Sequence, residues 1–275
     1  MQIKNGKFML TGGVDPLAIA DKYGLPVYIY DSAIIKRQID RFNEAFTVKS
    51  LRLNYACKAL TNINILRLMN TWGMGLDAVS IQEVELGLHA GFEAKNILYT
   101  PNCVGLNELR EAVQLGVKVN IDNLSILEQF GDHYPDYPVC IRLNPPIMAG
   151  GNSKISTGHI DSKFGISIHQ LPHVHRIVET YGLKIDGLHM HTGSEILDTE
   201  VYLKVAEILL KAAMEFKDLE FIDFGSGFKV SYKNDGIETD IEDLGVSITA
   251  RFNEFCKEYG KELTLMFEPG KYLVS

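Results

Sequence analysis

Reactive side chains and glycine-rich turns directly follow several short apolar segments of this sequence. Lys58 ends the run Y-A-C-K, and G-L-H-M-H-T-G-S (187–194) carries two histidines. Two later runs are followed by D-F-G-S-G-F (223–228) and E-P-G-K (268–271). An amine, imidazoles, a carboxylate and exposed backbone N–H groups can supply a nucleophile, proton transfer and an anion site. The spacing therefore points to a catalytic site built at the ends of strands.

Each of these features also has an ordinary structural explanation. A lysine after a strand is most often a surface residue whose stem lies along apolar neighbours. At a barrel mouth, however, desolvation would lower the pKa of Lys58 and suit covalent chemistry with a carbonyl group. Residues 223–228 form either a plain glycine turn or a phosphate loop, since barrels commonly bind phosphate after their seventh and eighth strands.

The two histidines and the late carboxylate leave more than one interpretation open. His189 and His191 are two residues apart, so on a strand their side chains lie on one face. They could bind a metal ion together. Alternatively, one is packed or hydrogen-bonded and the other stacks on an aromatic ligand. Glu268 is a structural carboxylate or a functional one, with Pro269 and Gly270 forming a sharp turn after it.

These residues must be positioned by the elements that precede them. Eight short, mostly apolar runs alternate with longer segments of helical spacing, which is typical of a parallel sheet covered by helices. Eight such units favour a TIM (β/α)8 barrel, with an open doubly wound sheet as the alternative. The predicted strands are 51–56, 73–79, 95–100, 117–122, 139–144, 184–190, 219–224 and 262–267.

Helices are predicted between these strands from apolar spacing and capping residues. The segments are 62–70, 80–90 with a capping box from Ser80 to Glu83, 107–115 before Gly116, and 199–216.

The two ends of the chain differ from this repeating pattern. Residues 1–30 precede the first unit, contain a strand-like run at 26–30, and lead into a predicted helix over 33–46. At the other end, Ser275 follows the eighth strand directly. We therefore divide the chain into a segment 1–30 and a barrel 31–275, and expect a further domain beyond residue 275.

Composition narrows the possible partners. The net charge of −8 lacks the basic surface that nucleic-acid binding requires. The sequence has no secretory signal pattern and no long apolar segment, so we expect no membrane partner. Its cysteines are scattered without a C-x-x-C pair, which suggests neither disulfides nor a thiolate metal site. A reducing, cytoplasmic location is the prediction.

Six motifs together resemble the fold-type III pyridoxal-phosphate decarboxylases. They are Y-A-C-K-A (55–59), D-A-V-S-x-x-E (77–83), I-S-T-G-x-x-x-S-K-F-G (155–165), G-L-H-x-H-x-G-S (187–194), the glycine loop (223–228) and E-P-G-K (268–271). The resemblance covers residues 10–275 and implies a barrel of the alanine racemase-like type with pyridoxal 5'-phosphate as its cofactor. The stretch 155–165 is more similar to the members that act on diaminopimelate than to those that act on ornithine or arginine.

The resemblance also implies a role for individual residues. Lys58 matches the lysine that binds the cofactor as an imine, His191 the histidine stacked on its ring, and Glu268 the carboxylate at the pyridine nitrogen. Positions that match the phosphate site or the walls of the cofactor pocket are Asp77, Arg142, Ser194, Gly225, Ser226, Gly227, Gly270 and Lys271. The family usually has arginine where Lys271 stands and a third glycine where Ser226 stands.

The implied function is decarboxylation of meso-2,6-diaminopimelate to L-lysine and CO2, the last step of lysine biosynthesis. In this family a second, β-rich domain carries the proton-donor cysteine and the residues that bind the far end of the substrate. We therefore expect this chain alone to bind the cofactor without turnover, and the longer protein to be a homodimer. The alternatives are a decarboxylase of another basic amino acid or polyamine precursor, a non-catalytic cofactor-binding barrel, and a metal-dependent hydrolase that uses His189 and His191. For the leading prediction no metal ligand is assigned.

Overall fold

Eight parallel strands close into a barrel in the computed structural model. The structure describes residues 2–4, 6–145, 163–191, 193–232 and 236–275. The barrel strands are β3 (Leu51–Ala56), β4 (Gly75–Ala78), β5 (Ile97–Tyr99), β6 (Lys118–Ile121), β7 (Val139–Asn144), β9 (Ile185–His189), β10 (Phe221–Asp223) and β11 (Thr264–Phe267). Each strand pairs with its neighbour in this order, and β11 pairs with β3. The pairing of β6 with β7 rules out the open sheet, so the predicted TIM barrel is confirmed.

Helices follow the strands on the outside of the barrel. They are α2 (Ser32–Ala45), α3 (Ile63–Thr71), α4 (Ile81–Ala90), α5 (Leu106–Leu115), α6 (Leu124–His133), α7 (Leu171–Tyr181), α8 (Thr199–Ala213), α9 (Ile241–Tyr259) and α10 (Lys271–Val274). A two-residue strand, β8 (Ile166–Ser167), pairs with the end of β7. The predicted helices agree with α2 to α5 and α8, although α8 ends three residues earlier than the pattern suggested.

The start of α4 shows how local sequence sets an element. The hydroxyl of Ser80 accepts the N–H of Glu83 at 3.2 Å, and the Glu83 carboxylate accepts the N–H of Val79 at 2.8 Å. The carboxylate thus bonds to the residue before the N-cap, which is a one-residue variation on the capping box. This cap fixes the turn that follows Asp77.

The barrel interior is layered. Leu98, Cys140, Phe221 and Met266 form a small apolar cluster of their own inside the lower half of the barrel. Above it, towards the carboxyl ends of the strands, the buried side chains become polar. Burial of polar groups requires hydrogen bonds or charge partners, so this upper layer is where a site must be sought.

Aromatic side chains attach α2 to the closing part of the barrel. Phe42 stacks on Phe46, with ring centroids 4.6 Å apart, and makes edge contacts with Phe228, Phe267 and Tyr272. Phe267 ends β11, and Tyr272 lies in α10. The cluster therefore fixes the chain on both sides of Glu268.

The first 30 residues have a different structure from the one predicted. Strands β1 (Gln2–Lys4) and β2 (Lys7–Met9) form an antiparallel pair, and α1 (Pro16–Tyr23) follows. Residues 26–30 form no strand, because no neighbouring strand in the described parts of the chain pairs with them. Large apolar side chains here are solvent-exposed, including Leu25 and Tyr28. Among the described helices, none combines the length and apolarity needed to cross a membrane.

Candidate active site

Two cavities lie at the carboxyl ends of the barrel strands and share three residues, Lys58, His191 and Glu268. The first, of about 410 Å³, is also lined by Val79, Thr100, Asn102, Arg142, Lys163, Phe164 and His189. The second, of about 240 Å³, is also lined by Ala56, Ala59, Ser194, Ser226, Gly227, Phe228, Gly270, Lys271 and Tyr272. The barrel thus brings most of the predicted site residues together at one mouth. Part of the motif 155–165 lies outside the described residues, but Lys163 and Phe164 line the first cavity.

Lys58 stands in a short 3-10 turn that follows β3. Its Nζ lies 3.5 Å from Oδ2 of Asp77, and about half of its side chain is exposed to solvent. The negative charges of Asp77 and Glu268 raise the pKa of Lys58 and outweigh the opposing effect of desolvation. The prediction of a lowered pKa is therefore wrong for this arrangement, because two carboxylates face the amine.

Asp77 is fully buried at the end of β4. The hydroxyl of Thr100 donates to its Oδ1, and Lys58 faces its Oδ2. Burial, with the charge of nearby Glu268, raises the pKa of Asp77 to about 7 in spite of Lys58 and Thr100. Asp77 does not line either cavity itself but supports Lys58 from below.

His189 lies in the barrel interior, with 1% of its surface exposed. Nδ2 of Asn120 lies 2.9 Å from its Nδ1, and Oε2 of Glu268 lies 3.2 Å from its Nε2. With the amide donating to Nδ1, the ring proton is on Nε2 and points at the carboxylate. Burial lowers the pKa of His189, so the ring is a neutral donor that orients Glu268.

His191 lies beyond the end of β9 and has different neighbours. Its Nδ1 accepts the N–H of Ser226 at 3.2 Å, and it lines both cavities. Burial and the charge of Lys58 hold the pKa of His191 well below its ordinary value. A neutral ring at this junction can stack on a flat ligand. The two histidines therefore do not converge on a common point.

Glu268 follows β11 directly and is almost completely buried. Burial alone would raise its pKa, but the hydrogen bond from His189 and the charge of Lys58 hold the pKa at about 2. Its second oxygen, Oε1, has no hydrogen-bond partner in the described part of the chain. A buried, ionised carboxylate with a free acceptor is suited to bind a protonated nitrogen.

Arg142 forms part of the wall of the first cavity. Its guanidinium lies 4.8 Å from the centre of the Phe164 ring. Burial lowers its pKa, and the charge of Glu268 opposes this. An arginine stays protonated through such shifts, so it adds a fixed positive charge to the site.

The glycine loop after β10 forms one side of the second cavity. Gly227 has a φ of +116°, and a Cβ there would lie 2.2 Å from the carbonyl oxygen of Gly193. Gly225 donates its N–H to Oδ1 of Asp223 at 2.8 Å. That donor is therefore engaged away from the cavity, and Gly225 is not among the lining residues.

Lys271 lies at the opening of the second cavity. Its Nζ is 3.5 Å from Oε1 of Glu195, a residue in the left-handed region with a φ of +64°. Both side chains are partly exposed. The lysine is thus already in an ion pair at the position where the family usually has arginine.

Sequence reasoning gave no role to Asn120, Thr100 or Asp223. Each is a polar residue within or directly after a strand whose neighbours are apolar, and each points into the barrel. A polar residue that interrupts an apolar strand is the sequence signal that could have identified them as residues of the site. Among the described residues, one group could hold a metal ion, formed by His189, Asp223 and Glu268, and His191 is not part of it.

The site fits pyridoxal phosphate in three independent ways. Lys58 offers an amine, and the free Oε1 of Glu268 offers an acceptor for the pyridine nitrogen. Half of the residues that line the second cavity are small, and one of them is a glycine, Gly227, whose place a side chain could not take. A barrel with a lysine, an imidazole and a carboxylate at its mouth is typical of a cofactor-binding domain of the pyridoxal class.

Comparison with known proteins supports this definition. Residues 32–275 match the model of the pyridoxal-binding domain of pyridoxal-dependent decarboxylases. The chain therefore belongs to this family, and the predicted family, fold and cofactor are confirmed.

Relatives of known name share the family. The chain is 35% identical to the diaminopimelate decarboxylase of Methanothermobacter thermautotrophicus, covering all of this chain and 66% of that protein. It is 35% identical to the Streptomyces coelicolor diaminopimelate decarboxylase, covering 94% of this chain and 58% of that protein. A diaminopimelate decarboxylase of M. jannaschii, solved with L-lysine, has a TM-score of 0.87 at 26% identity, covering 99% of this chain and 67% of that chain. The chain thus spans about three fifths to two thirds of the length of these relatives.

Proposed function

We propose that this chain is the cofactor-binding barrel of a decarboxylase that converts meso-diaminopimelate to L-lysine and CO2. The proposal is carried by one observation. Lys58, His191 and Glu268 are shared by two adjoining cavities, one large enough for a ring and the other lined in part by small residues. The similarity to named diaminopimelate decarboxylases supports the choice of substrate.

When bound, pyridoxal phosphate supplies an aldehyde for amines and a protonated ring that accepts the electron pair left as CO2 departs. The protein's own residues prepare this chemistry. Lys58 provides the amine, and Asp77 holds it at the end of the strand. Glu268, kept ionised, would keep a proton on the pyridine nitrogen.

The remaining groups position the ligand. His191 would lie against one face of the ring, fixed by the N–H of Ser226. Ser194, Ser226, Gly227 and Gly270 would surround the phosphate. Arg142 and Lys271 add positive charge at the two ends of the site, where carboxylate groups of the substrate or the phosphate require it.

Borohydride reduction tests the attachment of the cofactor. After incubation with pyridoxal phosphate and reduction, peptide mapping should find the pyridoxyl group on Lys58. Lys58→Ala should lose the label, whereas Lys163→Ala, at another lysine of the first cavity, should keep it. A label on a different lysine contradicts the assignment.

Substrate choice is tested by adding amino acids to the longer protein, loaded with cofactor, because the family resemblance assigns recognition of the far end of the substrate to its further domain. Meso-diaminopimelate should change the absorbance of the bound cofactor at lower concentrations than ornithine, arginine or lysine do. An equal response to all four, or a stronger one to ornithine, favours a decarboxylase of another basic amino acid. Absence of any response favours a non-catalytic cofactor-binding barrel.

We also propose a cytoplasmic location and a homodimer for the longer protein. Four free cysteines, three of them buried, are consistent with a reducing compartment. The dimer follows from the family resemblance. Light scattering during size-exclusion chromatography measures the mass directly, and a monomer of the longer protein at micromolar concentration contradicts it.

A further inference from the structure

Asp223 is a buried carboxyl group directly beneath the site that the reaction as proposed does not use. It ends β10, and its Cα is paired with that of His189 on one side and Met266 on the other. None of its surface is exposed. Its Oδ1 accepts the N–H of Gly225, whereas its Oδ2 is buried with no hydrogen-bond partner among the residues described.

Glu268, like Asp223, has one carboxylate oxygen that lacks a hydrogen-bond donor within the described ranges. Its Oε2 accepts from His189, and its Oε1 is likewise buried without a partner. One carboxylate oxygen of Asp223, one of Glu268 and one ring nitrogen of His189 all lie within 4.8 Å of one another. Two carboxylate oxygens can only accept, so they cannot satisfy each other unless one carries a proton. One shared proton would satisfy both oxygens.

The surrounding charges decide which group holds the proton. Glu268 is reached by the N–H of His189 and by the field of Lys58 and Arg142. Asp223 has the N–H of Gly225, and burial raises its pKa well above the ordinary value. Two adjacent buried anions are strongly unfavourable. The proton therefore belongs on Asp223.

We propose that Asp223 is a positioning residue, neutral in the folded protein, which donates from Oδ2 to Oε1 of Glu268. Each oxygen of Glu268 then accepts one bond from the protein and keeps a lone pair for the pyridine nitrogen. The carboxylate is held in one orientation by two donors on strands β9 and β10. The inference rests on the proposed function in one respect only, which is that Glu268 bonds to the pyridine nitrogen of the cofactor.

Asparagine is the matched test, because it copies a protonated aspartic acid. In Asp223→Asn the amide oxygen can accept from Gly225 and the NH2 group can donate to Glu268. This variant should bind pyridoxal phosphate with an affinity within about threefold of the unaltered protein, whereas Asp223→Ala should weaken binding about tenfold. If Asp223→Asn weakens binding as much as Asp223→Ala does, Asp223 acts as an anion and the proposal is overturned.

Infrared spectroscopy of the protein without cofactor gives a readout independent of function. In Asp77→Asn, where Asp77 contributes no carboxyl group, the C=O stretch of a protonated carboxyl group should be present at neutral pH, well above the ordinary range of a carboxyl group. Adding Asp223→Asn to this variant should remove the band. Absence of the band from Asp77→Asn overturns the proposal even if the cofactor binds. A band without cofactor binding would instead contradict the proposed function alone.

A metal ion could occupy the same three side chains in place of the shared proton, and metal analysis tests for it. A divalent cation bound by His189, Asp223 and Glu268 would require Asp223 to be ionised. The purified protein should hold less than about one tenth of an equivalent of metal. One equivalent that is lost in Asp223→Asn overturns the proposal.

Discussion

Three of the buried carboxyl groups in this barrel, those of Asp77, Asp223 and Glu268, differ in protonation because they have different neighbours. Glu268 is ionised beside His189 and Lys58, Asp77 titrates near neutrality, and burial raises the pKa of Asp223 far above its ordinary value. With Lys58 and Arg142 positive, the site has a small positive net charge before a phosphate enters. An anionic cofactor is therefore complementary to it.

Asp77 should make stability depend on pH. Its pKa is raised from 3.8 to about 7 on folding, so the stability it provides is complete below pH 3.8 and is lost as pH rises through 7. Asp77→Asn removes this loss. Between acid and neutral pH, the free energy of unfolding of the variant should rise by up to about 4 kcal/mol relative to that of the unaltered protein.

Chemical denaturation at a series of pH values measures the effect of Asp77. Asp21→Asn, at an exposed position of α1, is the control, and its stability curve should run parallel to that of the unaltered protein. A curve for Asp77→Asn that is also parallel would show that folding does not shift the pKa of Asp77.

The two histidines should separate into a stabilising and a ligand-contacting residue. His189→Ala removes the donor to Glu268 and should lower the free energy of unfolding by about 2–4 kcal/mol. His191→Ala should leave stability within about 1 kcal/mol and weaken cofactor binding about tenfold. Thermal unfolding without cofactor and a cofactor titration provide the two measurements. The reverse pattern would show that His189, not His191, contacts the ring.

At the scale of elements, the glycine loop between β10 and α9 shows how closely two backbone segments can approach. Gly227 passes the Gly193 carbonyl so closely that no side chain fits between them, and Ile196 donates its N–H to Gly227 at 2.9 Å. The loop after β9 and the loop after β10 are thus joined. His191 and Ser226, which lie on these two loops, are joined by a further hydrogen bond, from the N–H of Ser226 to Nδ1 of His191.

Gly227→Ala should therefore disturb the site more than its size suggests. The added methyl group meets the Gly193 carbonyl at an unfavourable φ, and we expect a loss of about 2–4 kcal/mol in stability with weaker cofactor binding. Gly260→Ala is the matched control, since Gly260 also has a positive φ, +79°, but no atom within 4 Å of the added Cβ. It should cost about 1 kcal/mol and leave cofactor binding unchanged. Equal losses in both variants would show that backbone strain alone is responsible.

At the scale of the whole molecule, the barrel carries the residues assigned to the cofactor, whereas the first 30 residues expose apolar surface. Leu17, Tyr23, Leu25 and Tyr28 are each more than 60% exposed. Four exposed apolar side chains within twelve residues are more than the occasional exposed residue of an ordinary surface. We propose that this segment packs against a β-rich domain of the longer protein, in accord with the family resemblance.

The 275-residue chain alone should bind pyridoxal phosphate but release no detectable CO2 from meso-diaminopimelate. Every group assigned to the cofactor is present, whereas the family resemblance assigns the proton donor to a further domain. Loss of a positioned acid costs about 10²–10⁴ in rate, and loss of substrate orientation costs more. Cofactor absorbance and CO2 release, followed together, test this. Ready CO2 release would show that the barrel is sufficient.

The sequence by itself determined the barrel strands, the residues at their ends and the family. These are local properties, since apolar runs, caps such as Ser80 and motifs such as E-P-G-K are read over a few neighbouring residues. Only the tertiary structure decided the protonation states of the residues at the strand ends. The pKa of Lys58 is raised, not lowered, because barrel closure brings Asp77 and Glu268 to it from 19 and 210 positions away in the sequence. The burial of a side chain and the charges around it depend on which distant strands become neighbours. The residues of a single strand do not specify those neighbours.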